Sequence, residues 1–258
     1  MSGRPMSSRL FASLCILSLH ATPAAAQDIP LGALRDWMYY DEGGRSYLDK
    51  GDYTKAEIQF NMAIQQIKPY SARNPRLMAR SYCDLARVLY HQRRYAEAEP
   101  LAKWALSVRE ADKKAGDDAV FQALYTLGLI HSAQQHFSEA EPLLKRALAL
   151  QEKVLSMGHV NTLTTLDQLA MVYREQRKYK EAELLYLRAV AIHERKTPDQ
   201  NLDLADTADN YAALLRKMNR TDEAENWEAR ALKNRDTVAT RRARAKADQT
   251  ERTLKSFK

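Results

Sequence analysis

Small and apolar residues recur along this chain with a period of 42 residues. The clearest marker is an alanine-glutamate pair, found as Ala56-Glu57, Ala98-Glu99, Ala140-Glu141, Ala182-Glu183 and Ala224-Glu225. The same period aligns a second alanine column, Ala63, Ala105, Ala147, Ala189 and Ala231, and an aromatic column, Tyr53, Tyr95, Phe137 and Tyr179. Five copies at one fixed spacing predict a structural repeat.

Each repeat contains two stripes of apolar residues at helical spacing. In the second half of one repeat the stripe is Ala98, Leu101, Ala105 and Leu106; in the first halves the stripes are Tyr82, Leu85, Ala86 and Leu89, then Leu124, Leu127, Gly128 and His131, then Leu166, Leu169, Ala170 and Tyr173, then Ala208, Tyr211, Ala212 and Leu215. This periodicity predicts two amphipathic helices per repeat. Alanines at fixed positions let neighbouring helices approach closely, so each repeat is predicted to be a packed helical hairpin.

The start of the second helix has a candidate capping signal. Ser138 with Glu141, Thr54 with Glu57 and Asp222 with Glu225 match the spacing of a capping box. Pro100 and Pro142 follow shortly after, where proline is tolerated best. We therefore predict that the second helices begin at these residues.

The repeat resembles the tetratricopeptide repeat, whose first helix has the order large, Leu, small, Tyr and whose second helix has Ala, aromatic, Ala. A unit of 42 rather than 34 residues, together with the stretches 166–170 and 178–182 and the linker 159–162, is most similar to kinesin light chains and their bacterial relatives. The resemblance covers about residues 37 to 246. It implies an all-α fold, a right-handed superhelical solenoid of helical hairpins.

The period divides the chain into five repeats, at 37–78, 79–120, 121–162, 163–204 and 205–246. The terminal repeats depart from the pattern, with Gly43 where Leu is expected and Glu228 at the aromatic position of the second helix. End repeats cap the stack and expose one face to water, so such departures are expected. Residues 27–36 are predicted to be a lead-in, and residues 234–258 a basic helix extension or tail.

The N-terminal residues have the order of a secretory signal peptide. Arg4 and Arg9 precede an apolar run of about 12 residues, and Ala24, Ala25 and Ala26 follow. The run is shorter than the roughly 20 residues of a membrane-spanning helix. We predict cleavage after Ala26, no membrane span in the mature chain, and a periplasmic or secreted protein.

Composition fits one ordered helical chain: 258 residues, 45% hydrophobic and 28% charged, with only 8 Gly, 8 Pro and 2 Cys. Cleavage would leave Cys83 alone, so no disulfide can form within the mature chain. Cys83 is expected to be a packing or groove residue.

Sequence motifs of catalysis and cofactor binding are absent. The chain has no GxxxxGK[ST], GxGxxG, HExxH or CxxC motif. No two histidines of the mature chain are three or four residues apart, so none are paired on one helix turn. His131 shares a column with Tyr173 and Leu215, which favours a packed side chain, and His159 is expected in a turn. We predict no catalytic residue, no cofactor, no metal and no enzymatic activity.

The positive charge is concentrated at the C-terminus. The chain has a formal net charge of +7, and residues 233–258 contain nine Lys and Arg against three Asp and Glu. Aromatic residues do not interleave with these cations, so nucleic acid is not a predicted partner. Two interpretations stay open: a solvated helix end, or weak attraction to an anionic envelope surface or an acidic partner.

The predicted solenoid implies that the first helices line a concave groove for a protein or peptide. The groove candidates are Arg80, Asp84, Arg87, Gln122, Tyr125, Asp167, Gln168, Met171, Asp209 and Asn210. Among repeats that grip a carboxyl-terminal peptide, Asn with Lys and Arg would be expected at these positions, and only Asn210 matches. The favoured function is a non-enzymatic binding scaffold of the bacterial cell envelope. The alternative is self-assembly, or envelope attachment through repeat packing and the basic tail.

Overall fold

The computed structural model describes residues 29–112, 114–155, 162–196 and 202–256. The predicted signal peptide at 1–26 and His159 lie outside these described residues. Within them the chain forms ten α-helices and one short 3-10 helix, Lys68–Tyr70. The α-helices are α1 (Leu31–Asp49), α2 (Tyr53–Ile67), α3 (Pro75–His91), α4 (Tyr95–Ala111), α5 (Asp117–Ala133), α6 (Phe137–Leu155), α7 (Leu163–Glu175), α8 (Tyr179–Lys196), α9 (Leu202–Lys217) and α10 (Thr221–Ser256).

Consecutive helices pair as hairpins, from α1 with α2 to α9 with α10. The predicted all-α fold of helical hairpins is therefore confirmed. The first helices begin up to six residues before the repeat boundaries drawn from the sequence, and α1 begins inside the predicted lead-in. The chain divides into two compact units, Met1–Lys113 with α1 to α4 and Lys114–Lys258 with α5 to α10.

The two alanine columns lie in the cores of the hairpins. All ten of these alanines have zero exposed fraction. A larger side chain at such a position would have to displace its neighbours, because a folded interior is already packed to the density of an organic crystal. The prediction that these columns are packed inside the hairpins is confirmed.

Two glycines of first helices make room for large residues of second helices. A Cβ atom built on Gly44 would lie 2.7 Å from the ring of Phe60, and one built on Gly128 would lie 2.8 Å from Leu144. Phe60 and Leu144 are fully buried. In these hairpins a large side chain of the second helix occupies the space beside the glycine of the first helix.

A left-handed residue separates the two helices of every hairpin. Gly51, Arg93, Gln135, Arg177 and Asn219 have φ between 60° and 74°, and they are 42 residues apart. The next residue then bonds back to the end of the first helix, as when Arg94 N donates to Leu89 O at 2.9 Å. This pattern satisfies carbonyl groups that the end of a helix leaves open.

The predicted capping boxes are wrong, because the second helices begin earlier. Helix α6 begins at Phe137, so Ser138 lies inside its first turn and its hydroxyl donates to Glu139. The cap of α2 is Asp52, whose Oδ1 accepts from Lys55 N at 3.2 Å. Pro100 and Pro142 are consequently inside their helices.

None of the helices described above is both long and apolar enough to span a membrane.

Candidate functional site

The candidate site is the surface of the first helices, which we call the first-helix face. In the first unit it is formed by α1 and α3. In the second unit it is formed by α5, α7 and α9, with α7 between the other two.

In the first unit, three arginines surround two buried carboxylates. Asp41 and Asp84 are each 2% exposed. Arg45 Nη2 donates to Asp84 Oδ2 at 3.0 Å, and Arg45 Nε lies 3.5 Å from Asp41 Oδ2. Arg80 Nη2 lies 3.1 Å from Asp41 Oδ2, and Arg87 Nη1 donates to Asp84 Oδ1 at 3.2 Å. We call these five residues the arginine cluster.

The electrostatics of the arginine cluster follow from its burial. Burial raises the pKa of Asp41 above its usual range, although Arg80 and Arg45 act in the opposite direction. Burial likewise lowers the pKa of Arg80. For Arg45, burial opposes the charge, but Asp84 and Asp41 raise its pKa overall. The arginine side chains stay 40–42% exposed, so the cluster presents cationic groups to solvent above the two buried carboxylates.

Trp37 supports the arginine cluster from α1. Its indole Nε1 donates to Ser81 Oγ at 2.9 Å, and the guanidinium of Arg80 lies 5.5 Å from the centre of its ring. The side chain is buried. This bond fixes α1 against α3 at the depth of the cluster, so the arginines project from a rigid base.

The arginine cluster contains Arg80, Asp84 and Arg87 from the predicted set, but sequence reasoning missed Asp41 and Arg45. Arg45 lies 42 residues before Arg87, so the repeat period could have identified it. Asp84 is buried rather than open to a groove, since α1 covers this side of α3. Cys83 is fully buried, which confirms a packing role.

On α5, Tyr125 is the large side chain of the face. It is half-buried, packs on the hydrophobic core of the second unit, and stacks on Phe121 with ring centres 5.8 Å apart. Gln122 is also half-buried, and its Nε2 donates to Asp118 at 3.3 Å. His131, further along α5, is 7% exposed, which confirms that it is packed.

On α7, Asp167, Gln168 and Met171 are all half-buried. Asp167 Oδ2 accepts the hydroxyl proton of Thr207 on α9 at 2.6 Å. This bond joins two successive first helices and fixes the orientation of the carboxylate. Oε1 of Gln168 is buried without a hydrogen-bond partner among the described residues.

On α9, Asp209 and Asn210 are half-buried. Arg235 of α10 donates to Asp209 at 2.6 Å and to Asp206 at 2.9 Å. Both carboxylates are therefore already paired with a residue that the sequence analysis had assigned to the tail. Among the groove candidates, Tyr125, Asp167 and Asn210 lie on the successive first helices α5, α7 and α9 of the second unit, and Arg87 lies on α3 in the first unit.

The repeated glutamates do not belong to this face. Glu57 accepts from Arg94 at 2.7 Å, Glu141 from Lys178 at 2.6 Å, and Glu183 from Arg220 at 2.6 Å. Each bond joins the second helix of one repeat to the residue that precedes the second helix of the next. We call these three pairs the glutamate ladder, which is a structural link between repeats.

Within the described ranges, no three His, Cys, Asp or Glu side chains are grouped so that they could hold a metal ion. The arrangement consists instead of half-exposed cationic groups on α1 and α3 in the first unit, and of half-buried aromatic, amide and carboxylate groups on α5, α7 and α9 in the second. Such groups can contact an extended segment of another chain.

Comparisons with solved structures find the same fold. The bacterial kinesin-light-chain-like protein BtubC from P. vanneervenii is 20% identical with a TM-score of 0.66, covering 84% of this chain and 93% of that one. A putative kinesin light chain of Podosopora anserina is 19% identical with a TM-score of 0.62, covering 85% and 98%. YrrB, described as a tetratricopeptide protein with an unusual peptide-binding site, is 17% identical with a TM-score of 0.50, covering 79% and 90%. At these identities the likeness concerns the fold alone.

No curated protein sequence matches the chain significantly. A family model does match it, over residues 39–111 and 119–195, and its description is tetratricopeptide repeat. The matched segments cover more than half of the chain. The first contains most of helices α1 to α4, and the second contains most of helices α5 to α8. The chain therefore belongs to the tetratricopeptide repeat family.

Proposed function

We propose that the protein is a non-enzymatic scaffold of the bacterial cell envelope that binds a protein or peptide segment through its first-helix face. Tetratricopeptide repeat proteins are in general binding scaffolds, and extended helical surfaces suit an extended ligand. The observation that carries the proposal is the series of half-buried polar and aromatic side chains on α5, α7 and α9, the successive first helices of the second unit. In the first unit, the same kind of helix presents arginines that buried carboxylates hold in place.

Within this proposal, the residues have different roles. Tyr125 offers an aromatic body with a polar tip, the kind of side chain that dominates binding energy. Arg87 and Asp167 orient the partner by charge, which contributes more to specificity than to affinity. The envelope location rests on the signal-like order of residues 1–26.

The test is capture of a partner from native envelopes by crosslinking, with a triple variant Arg87→Ala, Tyr125→Ala and Asp167→Ala. We expect loss of capture, with Tyr125→Ala the most costly of the single changes. The matched control changes Ile58 and Leu184 to Ala, since both are more than half exposed on second helices. Full capture by the triple variant, with thermal unfolding unchanged, would contradict a site on the first helices.

The alternative function is self-assembly or attachment of a complex to the envelope. It is favoured by α10, which continues for 36 residues and has a basic C-terminal part. Light scattering after gel filtration distinguishes the two. A monomer that captures its partner supports the scaffold, whereas a defined oligomer that captures none supports assembly.

A further inference from the structure

The outward side of α8 carries an apolar strip with one charge at each end. Leu184 is 68% exposed, Leu187 is 42% exposed, and Ala191 is exposed one turn further along. Lys180 and Glu194, both exposed, lie at the two ends of this series. With about 100° per residue, the five positions fall within a sector of about 80° on the helix. We call these five residues the α8 strip.

The α8 strip departs from the pattern of the repeats. At the repeat position of Leu187 the earlier second helices have polar residues, Asn61, Lys103 and Lys145. At the position of Leu184 two of the earlier second helices have proline. Single exposed apolar residues are ordinary on a protein surface, but here three are aligned on neighbouring turns of one helix. The packing of the repeats therefore does not account for this strip.

The charges at the ends of the strip run against the dipole of α8. A helix is stabilised by anions near its N-terminus and by cations near its C-terminus. Lys180 is the second residue of α8, and Glu194 is the third from its end. Arg230 of α10 donates to Oε1 of Glu194 at 2.5 Å, but 47% of the glutamate side chain stays exposed. Electrostatics within the helix therefore does not explain this order of charges.

We propose that α8 packs antiparallel against α8 of a second copy of the chain, around a twofold axis at Leu187. Such an axis makes the contact self-complementary, because each residue meets its counterpart in both directions. Leu184 then faces Ala191 of the second copy, and Leu187 faces its own equivalent. Lys180 faces Glu194 of the second copy, and the same ion pair forms at the other end. Apolar positions are thus covered by apolar ones, and opposite charges meet.

The charges select this arrangement over a parallel one. In a parallel pair, Lys180 would face its own equivalent and so would Glu194, which places like charges together at both ends. Exposed ion pairs add little affinity, but like charges in contact disfavour the wrong register. The strip is only about 21 Å long at 1.5 Å per residue. Its contact area is smaller than the roughly 1,200 Å² of a stable interface, so the dimer is weak and depends on concentration.

This dimer does not depend on the function proposed for the first-helix face. The α8 strip lies on a second helix, and a dimer that also captures a partner is consistent with both proposals. A crosslinker at Leu184 or Leu187 would join two copies of the chain and would not reach the segment bound to the first helices.

Sedimentation velocity of the protein purified from the envelope fraction tests the dimer, at up to about 1 mM protein. The variant Leu184→Ser with Leu187→Ser should raise the dissociation constant at least about tenfold, because two leucines per copy are no longer buried. The matched control, Leu31→Ser with Ile58→Ser, changes two exposed apolar residues of the first unit and should dimerise like the parent chain. A parent chain that stays monomeric throughout, or equal losses in the two variants, would overturn the proposal.

Exchange of charges tests the antiparallel register. Lys180→Glu sets two glutamates against each other at both ends, and Glu194→Lys does the same with lysines. Each variant alone should dimerise more weakly than the parent chain, whereas an equal mixture should form a mixed dimer in which opposite charges meet at both ends. Circular dichroism establishes that the helices remain in all variants. A mixture that dimerises no better than either variant alone would overturn this register. Binding of a monomeric parent chain to phosphatidylcholine vesicles would assign the strip to lipid instead.

Discussion

Gly51, Arg93, Gln135, Arg177 and Asn219 hold the same left-handed conformation at the same point of the repeat. For a residue with a Cβ atom this conformation costs about 1 to 2 kcal/mol. Only Gly51 avoids the cost, and asparagine tolerates it better than arginine or glutamine. The turn is therefore specified by the backbone hydrogen bonds of the hairpin rather than by the residue that adopts it.

Gly51→Ala should lower the free energy of unfolding by about 1 kcal/mol. No other atom lies within 4 Å of the added Cβ, so the effect comes from the backbone alone. Gly32→Ala is the matched control, since its Cβ also meets nothing within 4 Å and its φ is not positive. Chemical denaturation measures both; an equal effect of the two substitutions would contradict the conformational argument.

Ala147→Leu should destabilise the protein by about 1 to 3 kcal/mol through overpacking. Ala147 is fully buried in α6, at one of the positions where small size sets the helix approach. Ala149 is exposed on the same helix, so Ala149→Leu provides the comparison and should change stability by less than about 0.5 kcal/mol. A melting curve that does not shift for Ala147→Leu would show that packing around this position does not require a small side chain.

Residue identity predicted some of these features and not others. The buried alanine columns could be predicted because the same small residue recurs five times at one spacing. The turn residues were not, because Arg93, Gln135 and Arg177 have none of the preference that glycine has for positive φ. Asp41 and Arg45 were missed because the first repeat departs from the pattern at Gly43.

At the scale of the helices, the glutamate ladder joins neighbouring hairpins within each compact unit: the first to the second, the third to the fourth and the fourth to the fifth. Glu141 is held by two cations, since Lys145 and Lys178 both donate to it. Burial opposes its charge, but these bonds lower its pKa below the usual range. A carboxylate with a lowered pKa in the folded state stabilises the fold while it is ionised, and that contribution disappears in acid.

Glu141→Gln should therefore reduce stability by about 0.5 to 1 kcal/mol at neutral pH. The difference from the parent chain should be complete above the pKa of an unfolded glutamate, about 4.3, and should vanish as the pH falls through the lower pKa of the folded state. Glu181→Gln, at an exposed position of α8, is the control and should have little effect at any pH. Urea denaturation at several pH values measures this, and a difference that persists in strong acid would contradict the ion-pair explanation.

Helix positions were predicted better than helix ends. The apolar stripes identified both helices of the repeat because their spacing follows the helical period over several turns. The position of a helix end depends on single residues. Here the left-handed turn, and not the capping motif, sets where the second helix begins. Since Arg177 and its equivalents end the first helix so abruptly, the second helix begins two residues later, before the serine or threonine that was expected to cap it.

At the scale of the whole molecule, the two compact units each have first helices with exposed polar groups. The first unit presents the arginine cluster, and the second presents Tyr125, Asp167 and Asn210. The family could be predicted from the sequence because the repeat itself carries it. The ion pairs between repeats could not, since no sequence motif relates Arg45 to Asp84 or Arg80 to Asp41.

Export is a further prediction for the whole chain. Protein from the envelope fraction should begin at Gln27, because the basic, apolar and small residues before it have the order of a cleaved signal peptide. Intact-mass measurement tests this. A mass that includes residues 1 to 26 would instead support an uncleaved N-terminal anchor.

Deletion of residues 241–258 should leave the fold intact. The deletion retains the buried Asn234 and the ion-paired Arg235 of α10. Thermal unfolding should shift by no more than a surface substitution would cause, less than about 0.5 kcal/mol in stability. A large loss of helical signal from the repeats would mean that residues 241–258 are part of the packed end of the second unit.

The most direct test of the account is the position of a bound partner on the protein. A photo-crosslinking residue is placed at Tyr125 or Asn210 on the first helices, and at Leu184 or Leu187 as exposed positions of the second helix α8. The account predicts that the first-helix positions crosslink to one discrete protein in intact envelopes, and that the two α8 positions do not. Crosslinks to that protein from Leu184 and Leu187, with none from Tyr125 and Asn210, would contradict binding through the first-helix face.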